Sequence, residues 1–435
     1  MTTAALERPA RAKAPAPLPG AVLYAPNSLK SRVLHDFARE LGARGWRVGG
    51  VVLDTIYDEK DQKIGLDLID LAGGDRRLPL ARPDTRGIAI GRWVLDPAML
   101  AKGDELIRAA VEKEAELVIV DKFGPLEHRD EGFARGLRAA LEAGLPLLAA
   151  VRGEFLDGWD AFAGRPSALL RADAASLWPW WGPYRLYEDL ARGVADVPAR
   201  RVFIGVNWTL VEGPDGIGLA HSPERSAPGC RTIAKVGSYA GESLRALAGL
   251  AGSWNPFEAA LGLAAINAHY NRRGLSGMAL NGLELFARLP GRKAVVGRFP
   301  ELAKRLGDAL VIERVPGPDD LPAEAADWVL GGRDAVALTA SSLVNLTLPR
   351  LVELSRGARV ALVGPGTPLT PRLHAYGIDV LSGLVIENGE RALGVIAEGG
   401  TMKALKACGR LVTLAAPSVA LAEPHSVRRT GSEVR

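Results

Sequence analysis

Two apolar runs that each end in small or polar residues, 294–301 and 337–347, limit the folds open to this chain more than any other feature. A buried run that stops at Gly297-Arg298-Phe299-Pro300, and another that stops at Thr339-Ala340-Ser341-Ser342, match the way a doubly wound sheet ends its strands. In such sheets, ligands bind outside the carboxyl ends of the strands. The loops leaving Val296, Ile312, Leu338 and Val363 are therefore expected to line one mouth.

The rest of the chain sets the frame for that mouth. With 435 residues and 48% hydrophobic content, it can bury the cores of two or three domains. The net charge of +4 is spread among interspersed Arg, Asp and Glu rather than gathered in blocks. This predicts neither a nucleic-acid partner nor an anionic membrane partner. No apolar run reaches the length of a membrane span, and residues 1–19 lack the core of a signal peptide, so a cytoplasmic location is expected. The two cysteines, Cys230 and Cys408, exclude a disulfide scaffold and a cysteine-only zinc site.

Alternating strand and helix patterns predict an α/β protein in several parts. Residues 1–19 read as a disordered leader, 20–190 as a parallel-sheet domain, 200–288 as an α+β domain, 289–418 as a Rossmann-like domain and 419–435 as a mobile tail. The aromatic cluster at 178–184 reads as packing that closes the first domain. In the middle domain, the runs 202–211 and 217–220 flank a Gly-Pro-Asp-Gly turn and predict a hairpin. A helix is expected from Asn255, with Pro256 in its first turn and Glu258 completing a capping box.

Within the mouth, Gly297-Arg298-Phe299-Pro300 keeps only the first glycine of a dinucleotide fingerprint, which argues against NAD. Pro300 and Glu301 read as a helix start. Glu313 stands where a ribose hydroxyl is often bound, although Glu313 and Arg314 fit a local surface pair equally well. Thr339, Ser341, Ser342, Asn345 and Thr347 supply hydroxyl and amide groups for an oxyanion, a carboxylate or a sugar, and helix capping accounts for one or two of them. Gly364, Pro365 and Thr367 belong to a rigid wall with exposed backbone. Asn267 and Asn271 share a helix face that either points at the mouth or makes interdomain hydrogen bonds. The six histidines show no metal-ligand spacing; Cys230, His269 and His374 are the candidates for a site assembled from distant segments, and each also reads as structural.

Near the N-terminus, the segment 24–31 lies where a phosphate loop would and keeps its Lys30-Ser31 pair, while Tyr24 and Leu29 replace both glycines. Without those glycines the backbone amides cannot easily turn toward phosphate. Asp121 ends a strand where a nucleotide-hydrolysing fold holds magnesium, with Glu127 close by. Lys30, Ser31, Asp121 and Glu127 thus form a degenerate nucleotide-like set, and NTP hydrolysis is expected to be weak or absent.

These residues carry two resemblances. Residues 20–187, through Arg44-Gly45-Trp46-Arg47-Val48-Gly49-Gly50-Val51, Val120-Asp121-Lys122-Phe123-Gly124 and the segment 143–151, resemble an uncharacterised bacterial domain family related to P-loop nucleoside-triphosphatases and associated with molybdenum-transport genes. That family's usual Asn-Lys-Phe-Gly has Asp121 first in this chain. Residues 200–415, through the helix segment 255–268, Gly297-Arg298-Phe299-Pro300, the loop 339–345 and Gly364-Pro365-Gly366-Thr367-Pro368-Leu369, resemble the heavy-metal chelation family. The resemblance implies an enolase N-terminal-like domain, a Rossmann-like domain and metal handling. It makes a transition metal or molybdate the expected cofactor or cargo. The reading is a protein that binds a metal, a metal oxyanion or a metal-linked small molecule between its middle and C-terminal domains. The alternatives are a nucleotide-dependent transferase or lyase in a metal-cofactor pathway and a non-catalytic adaptor. A small-molecule or metal ligand is the expected partner, and a homo-oligomer is compatible with the sequence.

Overall fold

The computed structural model describes residues 14–24, 30–224, 233–299 and 306–419, with the side chains of Lys30 and Ser31 excluded. The expected helix start at Pro300, the candidate Cys230, Leu29, most of the leader and nearly all of the tail lie outside the described residues, as do the Lys30 and Ser31 side chains. Contacts group the chain into two compact units, one of residues 1–198 with 225–262 and one of residues 199–224 with 263–435. This grouping cuts across the expected middle domain at Gly262, inside the helix Pro256–Tyr270.

The first unit is built on a seven-stranded sheet. Its strands are β1 (Gly20–Tyr24), β2 (Val48–Tyr57), β3 (Lys63–Asp70), β4 (Arg76–Ala81), β7 (Leu117–Phe123), β8 (Leu147–Arg152) and β9 (Ala168–Arg171), and the short hairpin strands β5 (Ile88–Ile90) and β6 (Trp93–Leu95) stand apart. The spatial order is β4-β3-β2-β7-β8-β1-β9. From β2 to β9 the pairing is parallel, while β3 and β4 add an antiparallel edge. Continuous apolar runs suit the middle of a parallel sheet covered on both faces, and residues 117–121 of β7 and 147–151 of β8 are buried without a break.

Helix starts in this unit follow local chemistry. Asp96 accepts from Ala98 N at 2.8 Å and caps the helix Pro97–Glu112, whose Leu100, Ile107 and Ala110 turn inward. The tryptophan cluster packs as expected: Trp46 meets Trp181 edge-on at 5.1 Å, and Phe37 meets Trp178 at 5.3 Å. Asp189, fully buried, accepts from Arg44 at 2.7 Å and from the Trp46 ring N–H at 3.2 Å, so the acid that enters this core is paired on two sides.

The second unit joins a three-stranded antiparallel sheet to a second seven-stranded sheet. Strands β10 (Arg201–Ile204), β11 (Trp208–Glu212) and β12 (Ile217–His221) form the first. The expected hairpin is present as β11–β12, with Glu212 opposite Ile217, but the run 202–211 is broken by a turn that Gly205 N closes on Trp208 O at 2.9 Å. Trp208, Leu210, Ile217 and Leu219 join Leu384, Ile386, Ala392 and Ile396 in one apolar cluster, where each buried aliphatic side chain contributes about 1.5–3 kcal/mol. A Cβ at Gly218 would lie 1.9 Å from Ala264 O and 2.2 Å from Ala268 N, so only glycine lets β12 approach the helix Pro256–Tyr270 this closely. That helix is capped by Asn255, which accepts from Phe257 N at 3.1 Å, but the capping box takes another form: Glu258 bonds Ser253 Oγ at 2.6 Å, and Ser253 Oγ accepts from Asn255 N at 3.1 Å.

Strands β13 (Lys293–Val296), β14 (Leu310–Glu313), β15 (Leu321–Pro322), β16 (Ala335–Thr339), β17 (Arg359–Val363), β18 (Val380–Ile386) and β19 (Gly409–Ala415) make the second large sheet. Their order is β15-β14-β13-β16-β17-β18-β19, parallel except for β19. From β13 the chain proceeds outward to β14 and β15, then returns to β16 on the other side and continues to β17 and β18. The direction of winding therefore reverses between β13 and β16. Among the described residues, no helix is long and apolar enough to cross a membrane.

Candidate functional site

A reversal of winding opens a crevice at the carboxyl ends of the two strands that flank it. Here those ends are Gly297, after β13, and Thr339, the last residue of β16. Gly297 has φ +102°, and a Cβ on it would lie 2.6 Å from Thr339 Cγ2 and 2.7 Å from Thr339 Cβ. Glycine is thus required twice, by its backbone conformation and by its neighbour. Next to Thr339, Gly364 follows β17 at φ +145°, where a Cβ would stand 3.0 Å from Ala340 Cβ. The loops predicted to share a mouth leave four neighbouring strands, β14, β13, β16 and β17.

The hydroxyl groups divide by role. Thr339 Oγ1 and Ser341 Oγ lie 3.1 Å apart on half-buried residues, forming a pair that can donate and accept. Ser342 is buried and donates to Thr339 O at 2.6 Å, which fixes the turn. Asn345 is exposed and accepts from Thr347 Oγ1 at 2.7 Å and Thr347 N at 3.2 Å, a local capping arrangement. Pro365 is half-buried beside Gly364. Thr367 is fully buried, and its Oγ1 has no hydrogen-bond partner.

On the other side of the mouth, both Glu313 oxygens accept backbone amides, Oε1 from Arg298 and Oε2 from Arg314, the latter at 2.9 Å. Ordering this loop is what the carboxylate does here. The Arg298 guanidinium pairs with Asp320, which also accepts Gly317 N at 2.9 Å. The Gly317 amide and Arg298 hold the Asp320 carboxyl below its ordinary range. Phe299 packs on the apolar cluster of Val295, Leu283 and Phe286, away from any pyrophosphate role.

Asn267 and Asn271 sit where the helix meets the Gly364–Leu369 loop. Asn267 Nδ2 donates to Leu219 O at 2.7 Å and Gly366 O at 2.9 Å. Asn271 donates to Thr367 O and accepts from Leu369 N, at 2.9 and 2.8 Å. These bonds between segments engage both polar atoms of the Asn271 side chain. Asn267 retains one buried atom, Oδ1, without a partner.

One residue that the sequence reading passed over belongs in this region. His221 ends β12, its ring lies edge-on to Trp208 at 5.6 Å, and it keeps solvent access. Burial lowers its pKa most, the Ser222 backbone and Glu224 oppose that, and the Arg314 charge adds to the lowering. Arg314 therefore lies within electrostatic reach of a histidine from the small sheet. The signal was legible: His221 is the first polar residue after an apolar run, the rule that identified Gly297 and Thr339.

The donor set is hydroxyls, backbone amides, Arg314 and His221, with Glu313 already engaged. A bare divalent cation favours several carboxylate, imidazole or thiolate ligands. Among the described residues, no three His, Cys, Asp or Glu side chains gather in a way that could hold one. His374 Nδ1 contacts Ile378 O at 2.7 Å, and His269 packs on Tyr270 at 4.8 Å, so neither brings a cluster together. The set suits an oxygen-rich anion better, or a metal already wrapped in an anionic chelator.

In the first unit, Asp121 is fully buried at the carboxyl edge of β7, with Leu53 N at 3.4 Å from Oδ2. Buried Glu127 accepts Gly124 N at 2.9 Å and Phe133 N at 3.1 Å, and burial raises its pKa. Tyr24 is likewise raised, by burial first and then by Asp121.

Residues 187–270 and 281–415 match two families that share the description "Putative heavy-metal chelation", and residues 20–180 match a family of unknown function. A molybdenum import ATP-binding protein of Bradyrhizobium diazoefficiens is 30% identical over 161 residues, 37% of this chain and 18% of that protein. A nucleoside-triphosphatase of Methanopyrus kandleri is 34% identical over 119 residues, 27% of this chain and 64% of that protein. The chain therefore spans less than two thirds of both relatives. A crystal structure of a protein of unknown function from Desulfitobacterium hafniense is 33% identical with a TM-score of 0.48, covering 54% of this chain and 98% of that one.

Proposed function

We propose, from the membership of this chain in the heavy-metal chelation family through residues 187–270 and 281–415, that its second unit binds a metal oxyanion or an anionic metal chelate as cargo. The observation that carries the reading is the Gly297–Thr339 contact at the reversal between β13 and β16, where the Thr339–Ser341 hydroxyl pair lies beside a glycine that keeps the backbone open. Hydroxyls and amides bind an oxyanion by donating to its oxygens, and Arg314 supplies positive charge at the rim, within electrostatic reach of His221, whose lowered pKa keeps it a neutral imidazole. The printed function of the Bradyrhizobium relative supports molybdate as the first oxyanion to try, together with the P-loop NTPase-like region at residues 20–180.

Equilibrium dialysis of the full chain against molybdate, tungstate, sulfate and phosphate, with elemental analysis, tests this reading. The expected result is stoichiometric binding of molybdate or tungstate, weakened about 5- to 150-fold by Ser341→Ala, equivalent to about 1–3 kcal/mol. No binding of any oxyanion, nor of a nickel or zinc citrate complex, sinks the proposal.

A further inference from the structure

The first unit contains a recess that the proposed function does not use. It opens where β7 ends and is partly open to solvent. Its walls are apolar: Leu66 from β3, Leu100 from the helix Pro97–Glu112, and Phe133 from the turn before the helix Ala134–Glu142. Trp93, half-buried in the β5–β6 hairpin, covers one side. The polar lining is confined to Lys122 and Glu127. Both follow from the segment 121–127, which leaves the carboxyl end of β7, the edge where α/β sheets take their ligands.

The chemistry of these two groups selects an occupant. Each Glu127 oxygen accepts a backbone amide, from Gly124 at 2.9 Å and from Phe133 at 3.1 Å, so the carboxylate is spent on holding the loop. Lys122 is the one cation in the lining. An ammonium carries three donors, so it can face Glu127 and an incoming anion together. An apolar enclosure with few convergent polar groups is the usual form of a small-molecule site.

We propose that this recess binds a small amphipathic anion, with an apolar ring or short branched chain against Leu66, Leu100 and Phe133 and a carboxylate held by Lys122. The site lies wholly within the first unit and does not depend on oxyanion binding in the second. The β5–β6 hairpin is its cover, and Trp93 supplies a flat apolar surface for the ring.

Fluorine NMR on the full chain with three probes of one shape tests it: 4-fluorobenzoate, 4-fluorobenzyl alcohol and 4-fluorobenzylamine. The benzoate is expected to bind at least tenfold tighter than the alcohol, and the amine weakest. Lys122→Met is expected to remove the benzoate preference and leave the alcohol within threefold of its original affinity, whereas Lys122→Arg retains the preference. Ile90→Trp, which fills the recess from the hairpin, is expected to weaken all three at least tenfold; Leu53→Phe replaces it if circular dichroism shows that the first variant is unfolded. Equal affinity for the three probes, no binding of any, or benzoate binding unchanged in Lys122→Met or in the filled variant would each overturn the proposal.

Discussion

Replacing Gly297 with alanine probes the reversal point most directly. The added Cβ sits 2.6 and 2.7 Å from two atoms of Thr339, closer than non-bonded carbons approach, and the φ of +102° is one that L side chains rarely adopt. A strained backbone of this kind costs on the order of 1–3 kcal/mol. Overpacking into a filled site adds about 1–3 kcal/mol. The total is roughly 2–6 kcal/mol, and only the second part depends on Thr339. Thr339→Gly should therefore rescue part of the loss, giving a favourable coupling of about 1–3 kcal/mol in a double-mutant cycle. Because a chain of two units need not unfold in one step, the assay is hydrogen exchange of peptides covering Lys293–Val296 and Ala335–Thr339 in the full chain. Additive effects within about 0.5 kcal/mol, or a Gly297→Ala protein with wild-type protection in both strands, would refute the steric argument and weaken the oxyanion proposal with it.

Further outcomes follow from single contacts. Asn271→Ala leaves Thr367 O and Leu369 N unpaired in a buried setting and should cost about 1–3 kcal/mol, read from urea unfolding with the helix Pro256–Tyr270 followed by exchange. Glu127→Gln presents an NH2 to one of two amide donors that now meet oxygen, so the first unit should lose about 1–3 kcal/mol while any molybdate affinity is retained. His221 has a lowered pKa in the folded chain, so below the ordinary value of 6.5 the unfolded chain takes up a proton that the folded chain refuses. Stability is therefore unaffected well above pH 6.5 and falls as pH drops through that value toward the lower folded one; the slope of melting temperature against pH should shrink in His221→Gln. Magnesium-dependent hydrolysis of ATP or GTP by the full chain should be weak or absent, and unchanged by Lys30→Ala, because Tyr24 and Leu29 replace the glycines of a phosphate loop.

The strand ends of the second sheet were legible in the sequence because strand ends and polar loops are local features. Gly297, Thr339 and Gly364 could each be picked out where an apolar run stopped, and their shared mouth followed from the parallel order of β13, β16 and β17. The state of Glu313 was not legible. Its oxygens are occupied by the amides of Arg298, fifteen residues away, and of Arg314, and no spacing rule reports that pairing. Asn267 and Asn271 were visible as a helix face, but their acceptors on Gly366 and Thr367 lie nearly a hundred residues on. The recess of the first unit left no trace in the sequence, since Leu66, Leu100 and Phe133 are ordinary core residues until β3, a helix and a turn bring them around the same space. Secondary structure diverged where a strand pattern hid a turn, as at Gly205.

The hydrogen bonds between Asn267 and Asn271 and the Gly364–Leu369 segment make the helix end and the loop one thermodynamic object. Any cargo that holds this loop in its present shape must also slow fraying of the helix end that grips it, and anything that loosens that helix end must weaken the cargo by the same factor. The backbone amide of Leu369, bonded at 2.8 Å to Asn271 Oδ1, is thereby a built-in gauge. Its exchange rate counts how often the grip opens, and titrating candidate cargoes against that single rate would rank them without an activity to follow.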